Sequence, residues 1–182
     1  MCSDVSGPDC AGTRCSRALQ NVTPARPPTQ MGQKMPHAVH HFGRTVSNLE
    51  QSVQFYKLFG GEEVAAEHFC GPQFAKVLGF DDSDFEMRLV QVGDVHLELL
   101  QYLVPTGESS YSTRNCDVGA AHICFLVDDI FGSYEHLTSL GVKSHSAPEV
   151  ITEGDFAGAA FVYLLDPDGL PVELLQLPQE SE

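Results

Sequence analysis

The stretch that decides the fold is HLELLQY at residues 96–102, because most of it returns near the end of the chain as PVELLQL at residues 171–177. The four letters ELLQ recur 75 positions apart in a chain of 182 residues. Both copies read as strands rich in leucine, yet each carries one charged glutamate. A strand that is repeated at this distance predicts two structural modules built on the same plan.

The segments around the two copies follow the same order. In the first half the pattern predicts a strand, a helix, a second strand and a hairpin, at residues 39–46, 47–60, 62–69 and 85–102. In the second half it predicts the same series at residues 120–127, 128–141, 142–147 and 158–177. A capping box of Ser47 and Glu50 predicts the start of the first helix, and Gly60 predicts its end.

The two halves align when the chain is shifted against itself. A shift of 81 residues places His41 on His122 and Gly60 on Gly141, whereas the ELLQ copies align at 75. The difference predicts an insertion in the first half, at residues 70–84. We therefore expect an α+β fold in which two tandem βαβββ modules form one curved mixed sheet, with the helices on its convex side.

Composition divides the chain into a tail and a folded body. Residues 1–36 are rich in Pro, Gly, Ser and Thr and have no apolar period, which is typical of a disordered segment. The folded domain is expected at residues 37–177, with a first module at 37–103, a linker at 104–119, a second module at 120–177 and a short tail at 178–182.

Charge and hydrophobicity exclude some classes of partner. The chain has 10 basic and 25 acidic residues, for a net charge of −15. Such a charge would be repelled by phosphates, so we expect neither nucleic acid nor an anionic membrane surface as a partner. There is no run of about 18 apolar residues, so we expect no membrane span.

The six cysteines show no CxxC pair, and no secretory segment is evident. Reduced thiols and a cytoplasmic protein are therefore expected. Import into an organelle is left open, because Arg14, Arg17 and Arg26 in the N-terminal tail faintly resemble a transit peptide.

Strand alternation places two histidines and two glutamates on corresponding faces. His41 and His122 lie on the less hydrophobic faces of their strands, and Glu98 and Glu173 do so in the two ELLQ strands. Two buried carboxylates near one another would repel, and a divalent cation removes that repulsion. The four residues therefore predict one site for Zn²⁺, Ni²⁺, Co²⁺, Fe²⁺ or Mn²⁺.

With these residues the chain resembles the vicinal oxygen chelate superfamily of glyoxalases, bleomycin-resistance proteins and extradiol dioxygenases. The resemblance covers about residues 37–177 and is carried by HHFGRTVSNLEQSVQFYKLFGG, HLELLQY, AHICFLVDDI and YLLDPDGLPVELLQ. The sequence of these segments is most similar to those of methylmalonyl-CoA epimerase and glyoxalase I. By this resemblance the family's metal ligands fall on His41, Glu98, His122 and Glu173.

The resemblance implies a metal-dependent isomerase or lyase that polarises a substrate carbonyl and moves the adjacent proton. It implies Glu173 as the first candidate for the base, with Glu98 or Asp82 as its partner. The implied partners are a small carbonyl or thioester substrate and a second copy of the chain, as a homodimer. Two alternatives stay open, namely an Fe(II) extradiol-type dioxygenase and a non-catalytic small-molecule binding or resistance protein.

Overall fold

The computed structural model describes residues 38–108 and 114–179. The chain divides into two compact units, Met1–Glu108 and Ser109–Glu182. The predicted N-terminal tail at residues 1–36, part of the predicted linker and the last three residues lie outside the described residues. The division of the chain into these segments therefore stays a prediction.

The first unit contains a four-stranded sheet with two helices. Its elements are β1 (Phe42–Thr45), α1 (Leu49–Lys57), β2 (Glu62–Cys70), α2 (Pro72–Leu78), β3 (Asp84–Val92) and β4 (Val95–Val104). The strand order is β1-β4-β3-β2, with β1 parallel to β4 and the other neighbours antiparallel. The first ELLQ copy lies in β4, which is a central strand of this sheet.

The second unit repeats this plan. Its elements are β5 (Ile123–Leu126), α3 (Ile130–Ser139), β6 (Lys143–Ser144), β7 (Glu149–Val150), β8 (Ala160–Leu165) and β9 (Pro171–Gln176). The strand order is β5-β9-β8-β6, β7 also pairs with β8, and β5 runs parallel to β9. The predicted α+β fold with tandem βαβββ modules is confirmed, and each unit has its own hydrogen-bonded sheet.

Helix α1 packs on β3 and β4 through one face of the sheet. Leu97 and Leu99 of β4 and Val90 of β3 are at most 2% exposed. Arg44 of β1 is also buried, and its Nη1 donates a hydrogen bond of 2.8 Å to the hydroxyl of Tyr56 in α1. Because Leu97 and Leu99 point to one face, Glu98 between them points to the other.

The first helix begins one residue later than the predicted capping box requires. Its N-cap is Asn48, whose Oδ1 accepts a hydrogen bond of 2.9 Å from the backbone N–H of Gln51. Glu50 instead accepts a hydrogen bond from Gln54, one turn further along the helix. An asparagine acceptor at the N-cap satisfies one of the free N–H groups of the first turn, so the helix starts there.

The insertion at residues 70–84 contains a helix that the sequence pattern did not indicate. Residues Pro72–Leu78 form the short helix α2, with Pro72 in its first turn and the left-handed Gly79 as its C-cap. Seven residues are too few to display a helical period in the sequence. The expectation of reduced thiols is wrong for Cys70, which is disulfide-bonded, whereas Cys116 and Cys124 are free. Pairing depends on the spatial approach of two thiols, which composition does not reveal.

None of the helices in the described part of the chain is long and apolar enough to cross a membrane.

Candidate metal centre

The first predicted pair of ligands comes together in the first unit. His41 directly precedes β1, and Glu98 lies in β4, where its Cα is paired with that of Gly43. His41 Nε2 and Glu98 Oε2 are 3.3 Å apart, and both side chains are partly exposed. The parallel register of β1 and β4 therefore brings residues 57 positions apart in sequence into direct contact.

The second pair has the same arrangement in the second unit. His122 directly precedes β5, and Glu173 lies in β9, where its Cα is paired with that of Cys124. His122 Nε2 and Glu173 Oε2 are 3.0 Å apart, and only 14% of the Glu173 side chain is exposed. In both units the histidine lies two residues before the strand residue that is paired with the glutamate, which is Gly43 in the first unit and Cys124 in the second. The two pairs therefore occupy equivalent places in the two units.

The separation within each pair fits two ligands of one metal ion. Donor atoms bound at about 2.1 Å, with an angle between 90° and 109° at the ion, lie about 3.0–3.4 Å apart. The two pairs have separations of 3.3 and 3.0 Å. Imidazole nitrogen and carboxylate oxygen are also the donors that Zn²⁺ and its neighbours in the periodic table accept.

Each pair supplies only part of a coordination sphere. Protein sites for these metals use at least three protein ligands. Within residues 38–108 and 114–179 no group of three or more His, Cys, Asp or Glu side chains is arranged to hold a metal ion. The structure therefore brings the predicted ligands together two by two, and a complete set of four stays a prediction.

Glu173 lies beside two further polar side chains. Tyr163 is its Cα partner in β8 and Cys124 is its Cα partner in β5, and the charge of Glu173 acts on the Tyr163 hydroxyl and the Cys124 thiol. The ring of Tyr163 also packs edge-on against His122, at 5.2 Å between ring centroids. One tyrosine therefore contacts both members of the second pair.

Burial and the charge of Glu173 keep both groups protonated. Burial of the sulfur, followed by the negative charge of Glu173 and its hydrogen bond, raises the pKa of Cys124 to about 11, although the residue as a whole is exposed. Burial and then the charge of Glu173 likewise raise the pKa of Tyr163. Both groups are thus neutral donors to a carboxylate near pH 7.

Glu98 has different neighbours at the corresponding positions. Its Cα partners are Gly43 in β1 and Leu89 in β3, neither of which has a side-chain donor. A Cβ atom at position 43 would stand 3.6 Å from Glu98 Oε2, so the space beside the carboxylate is open there. Burial, followed by the negative charge of Glu98, raises the pKa of the Tyr102 hydroxyl, which lies four residues further along β4.

Two histidines near the first pair extend the polar cluster. His40 Nδ1 lies 2.8 Å from His41 Nδ1, and the His40 ring stacks on His96 at 5.9 Å. Strand alternation would have placed His40 on the opposite face from His41. That reasoning missed His40, which lies before the first residue of β1.

Asp82, the third predicted catalytic residue, lies on the loop before β3. It is exposed, and its Oδ1 accepts a hydrogen bond of 2.8 Å from the backbone N–H of Ser83. This hydrogen bond stabilises the local turn. It lends no support to a catalytic role for Asp82, which stays a prediction.

Comparison with known proteins identifies relatives along most of the chain. The glyoxalase/bleomycin resistance protein/dioxygenase superfamily matches residues 38–174. A 2-epi-5-epi-valiolone epimerase from an Actinomyces species is 33% identical over 147 residues, which cover 78% of this chain and 80% of that protein.

Solved structures share the fold. A glyoxalase family protein from Bacillus cereus superimposes with a TM-score of 0.71 at 18% identity, covering 82% of this chain and all of that one. The trypanothione-dependent glyoxalase I from Leishmania major gives a TM-score of 0.52 at 20% identity, covering 78% of this chain and 87% of that one. At such identities these likenesses concern the fold alone.

Proposed function

Because the chain belongs to the glyoxalase/bleomycin resistance protein/dioxygenase superfamily, we propose that it is a metal-dependent isomerase of the epimerase type acting on a small carbonyl compound. The observation that carries this proposal is the repeated histidine–glutamate pair, at 3.3 Å in one unit and 3.0 Å in the other. The relative that is 33% identical is an epimerase by name, which favours isomerisation over lyase chemistry.

We assign His41, Glu98, His122 and Glu173 as ligands of one divalent ion per chain. Support comes from their donor atoms, the separations within the pairs and the equivalent places of the pairs in the two modules. A bound ion would supply Lewis-acid polarisation of the substrate carbonyl, which makes the neighbouring C–H acidic. The predicted homodimer remains part of the proposal.

Inversion of a stereocentre next to a carbonyl needs one group that removes a proton and one that returns it. Glu98 and Glu173 are our candidates for the two roles, and Glu173 was the first choice from sequence. The surroundings favour Glu98 for proton removal, because Glu173 has two polar neighbours that can donate to it, the Tyr163 hydroxyl and the Cys124 thiol. Glu98, next to Gly43 and Leu89, is freer to turn toward a substrate.

The test is hydrogen–deuterium exchange at the α-carbon of carbonyl compounds and CoA thioesters in D₂O, followed by NMR. We expect exchange that stops when a chelator removes the metal and returns when a divalent ion is restored. Oxygen uptake with ring cleavage of a catechol would make the protein a dioxygenase instead. Tight binding of a compound without exchange would make it a binding protein.

A further inference from the structure

Glu67 lies on the same sheet face as Glu98. Its Cα partner in β3 is Met87, and the Cα partner of Met87 in β4 is Leu100. Residues opposite one another in antiparallel strands point to one face, and so do residues two apart in one strand. Leu100 is two residues from Glu98, so Glu67 projects from the face that carries the first histidine–glutamate pair.

The carboxylate of Glu67 is not satisfied by the protein around it. Its Oε1 is buried and has no hydrogen-bond partner within the described ranges. Its partner in β3 is Met87, which is 2% exposed and belongs to an apolar cluster with Ala65 and Leu89. A buried polar atom without a partner destabilises a fold. Such an atom is therefore expected where a ligand supplies the missing donor.

The Glu67 side chain can change its conformation so that the carboxylate meets a ligand. The residue as a whole is only half-buried. The terminal torsion of a glutamate is broad and roughly twofold, so the carboxylate turns at little cost. A ligand on this face can therefore meet Glu67 after a small movement of its side chain.

An aromatic wall stands beside Glu67 on the same face. Phe69, Phe85 and Tyr102 occupy neighbouring strands, with ring centroids 5.2 Å apart in each adjacent pair. The insertion adds Phe74 from α2, 5.1 Å from Phe69, and Phe80, 6.0 Å from Tyr102. The inserted residues thus extend the aromatic cluster beside one acceptor, and Phe85 at its centre is buried. Aromatic rings pack against the apolar face of a carbon skeleton, and a carboxylate accepts a hydrogen bond from a hydroxyl group.

We propose that Glu67 is a substrate-binding residue that accepts a hydrogen bond from a hydroxyl of a polyhydroxylated carbonyl compound. Phe69 and Tyr102, the partly exposed members of the wall, contact the carbon skeleton of that compound. The carbonyl in this assignment rests on the proposed function, whereas the hydroxyl and the apolar skeleton follow from Glu67 and the aromatic wall.

The first test asks whether Glu67 has a structural role, by urea unfolding of the full chain and its variants. Glu67→Met removes the unsatisfied carboxylate and keeps the length of the side chain. We expect its stability to equal or exceed that of the wild type. A clear loss of stability in Glu67→Met would overturn the proposal, because it would show that the carboxylate stabilises the fold.

The second test measures binding by calorimetry with two probes. The first probe is 2,3,4,5,6-pentahydroxycyclohexanone, and the second is cyclohexanone, which has no hydroxyl group. We expect Glu67→Met to weaken binding of the hydroxylated probe by about tenfold to a hundredfold and to leave binding of cyclohexanone unchanged. The matched control is Glu63→Gln, because Glu63 lies in the same strand but pairs with Arg88.

The outcomes separate this proposal from the proposed function. Absence of binding of the hydroxylated probe to the wild type, or equal effects of Glu67→Met on both probes, would overturn the role of Glu67. Selective loss of binding in the variant together with no α-carbon exchange in the wild type would uphold the role of Glu67 and overturn the epimerase assignment.

Discussion

Tyr163 is the cross-strand neighbour of Glu173, and its ring packs at right angles to that of His122, at 5.2 Å between centroids. The position opposite Glu98 in the first unit is Leu89. Although the two glutamates occupy equivalent backbone positions, the neighbours of Glu173 have polar side chains, whereas those of Glu98 are a leucine and a glycine. This difference underlies two of the four predictions that follow.

Metal content should depend on the two histidines that form the pairs. We expect the wild-type chain to retain about one divalent ion after purification, and His122→Ala and His41→Ala each to retain much less. Elemental analysis of dialysed protein measures this. The control is His136→Ala in α3, an exposed histidine in the last turn of that helix. Equal metal content in all four proteins would remove the histidines from the ligand set.

Tyr163→Phe should weaken metal retention without unfolding the protein. Groups that hydrogen-bond to a ligand typically change metal affinity by about 10- to 100-fold. Competition with a chromophoric chelator gives the dissociation constant directly. Tyr134→Phe is the matched control, since its hydroxyl lies 3.4 Å from Ser144 Oγ. Identical dissociation constants for both variants would show that Tyr163 only packs.

Glu98→Gln and Glu173→Gln should differ in their effects. Each replacement keeps the shape of the side chain and removes the charge that accepts a proton. We expect Glu98→Gln to slow α-carbon exchange by about 10²–10⁴-fold with modest loss of metal. Glu173→Gln should lose metal affinity more and slow exchange less once metal is saturating. If the order of the two variants is reversed, Glu173 is the base.

Asn48→Ala should destabilise the fold by about 0.5–2 kcal/mol, the usual effect of losing an N-cap acceptor. Urea unfolding measures the change in free energy. Glu50→Ala removes the other residue on which the predicted capping box depended and should cost only about 0.2–0.5 kcal/mol, because Glu50 makes a pair with Gln54 on the helix surface. A larger loss in Glu50→Ala than in Asn48→Ala would restore the capping box.

The sequence was sufficient for the fold class, and it singled out the four residues that the structure brings together as two pairs. Periodicity located the strands, and the offset between His41 and His122 fixed the equivalence of the modules. What it could not supply depends on neighbours across strands. The hydroxyl of Tyr163 beside Glu173 and the buried oxygen of Glu67 both follow from strand register, which no single segment encodes. Helix α2 was missed for a different reason, since seven residues contain too little pattern.

The two ELLQ strands belong to two copies of one structural module. Each copy places an equivalent histidine and an equivalent glutamate together, but the neighbouring residues differ: Gly43 is beside Glu98, whereas Cys124 is beside Glu173. A mutation beside one glutamate leaves the other untouched. In the roles proposed above, the anchoring of Glu173 and the mobility of Glu98 can therefore be changed independently by mutation.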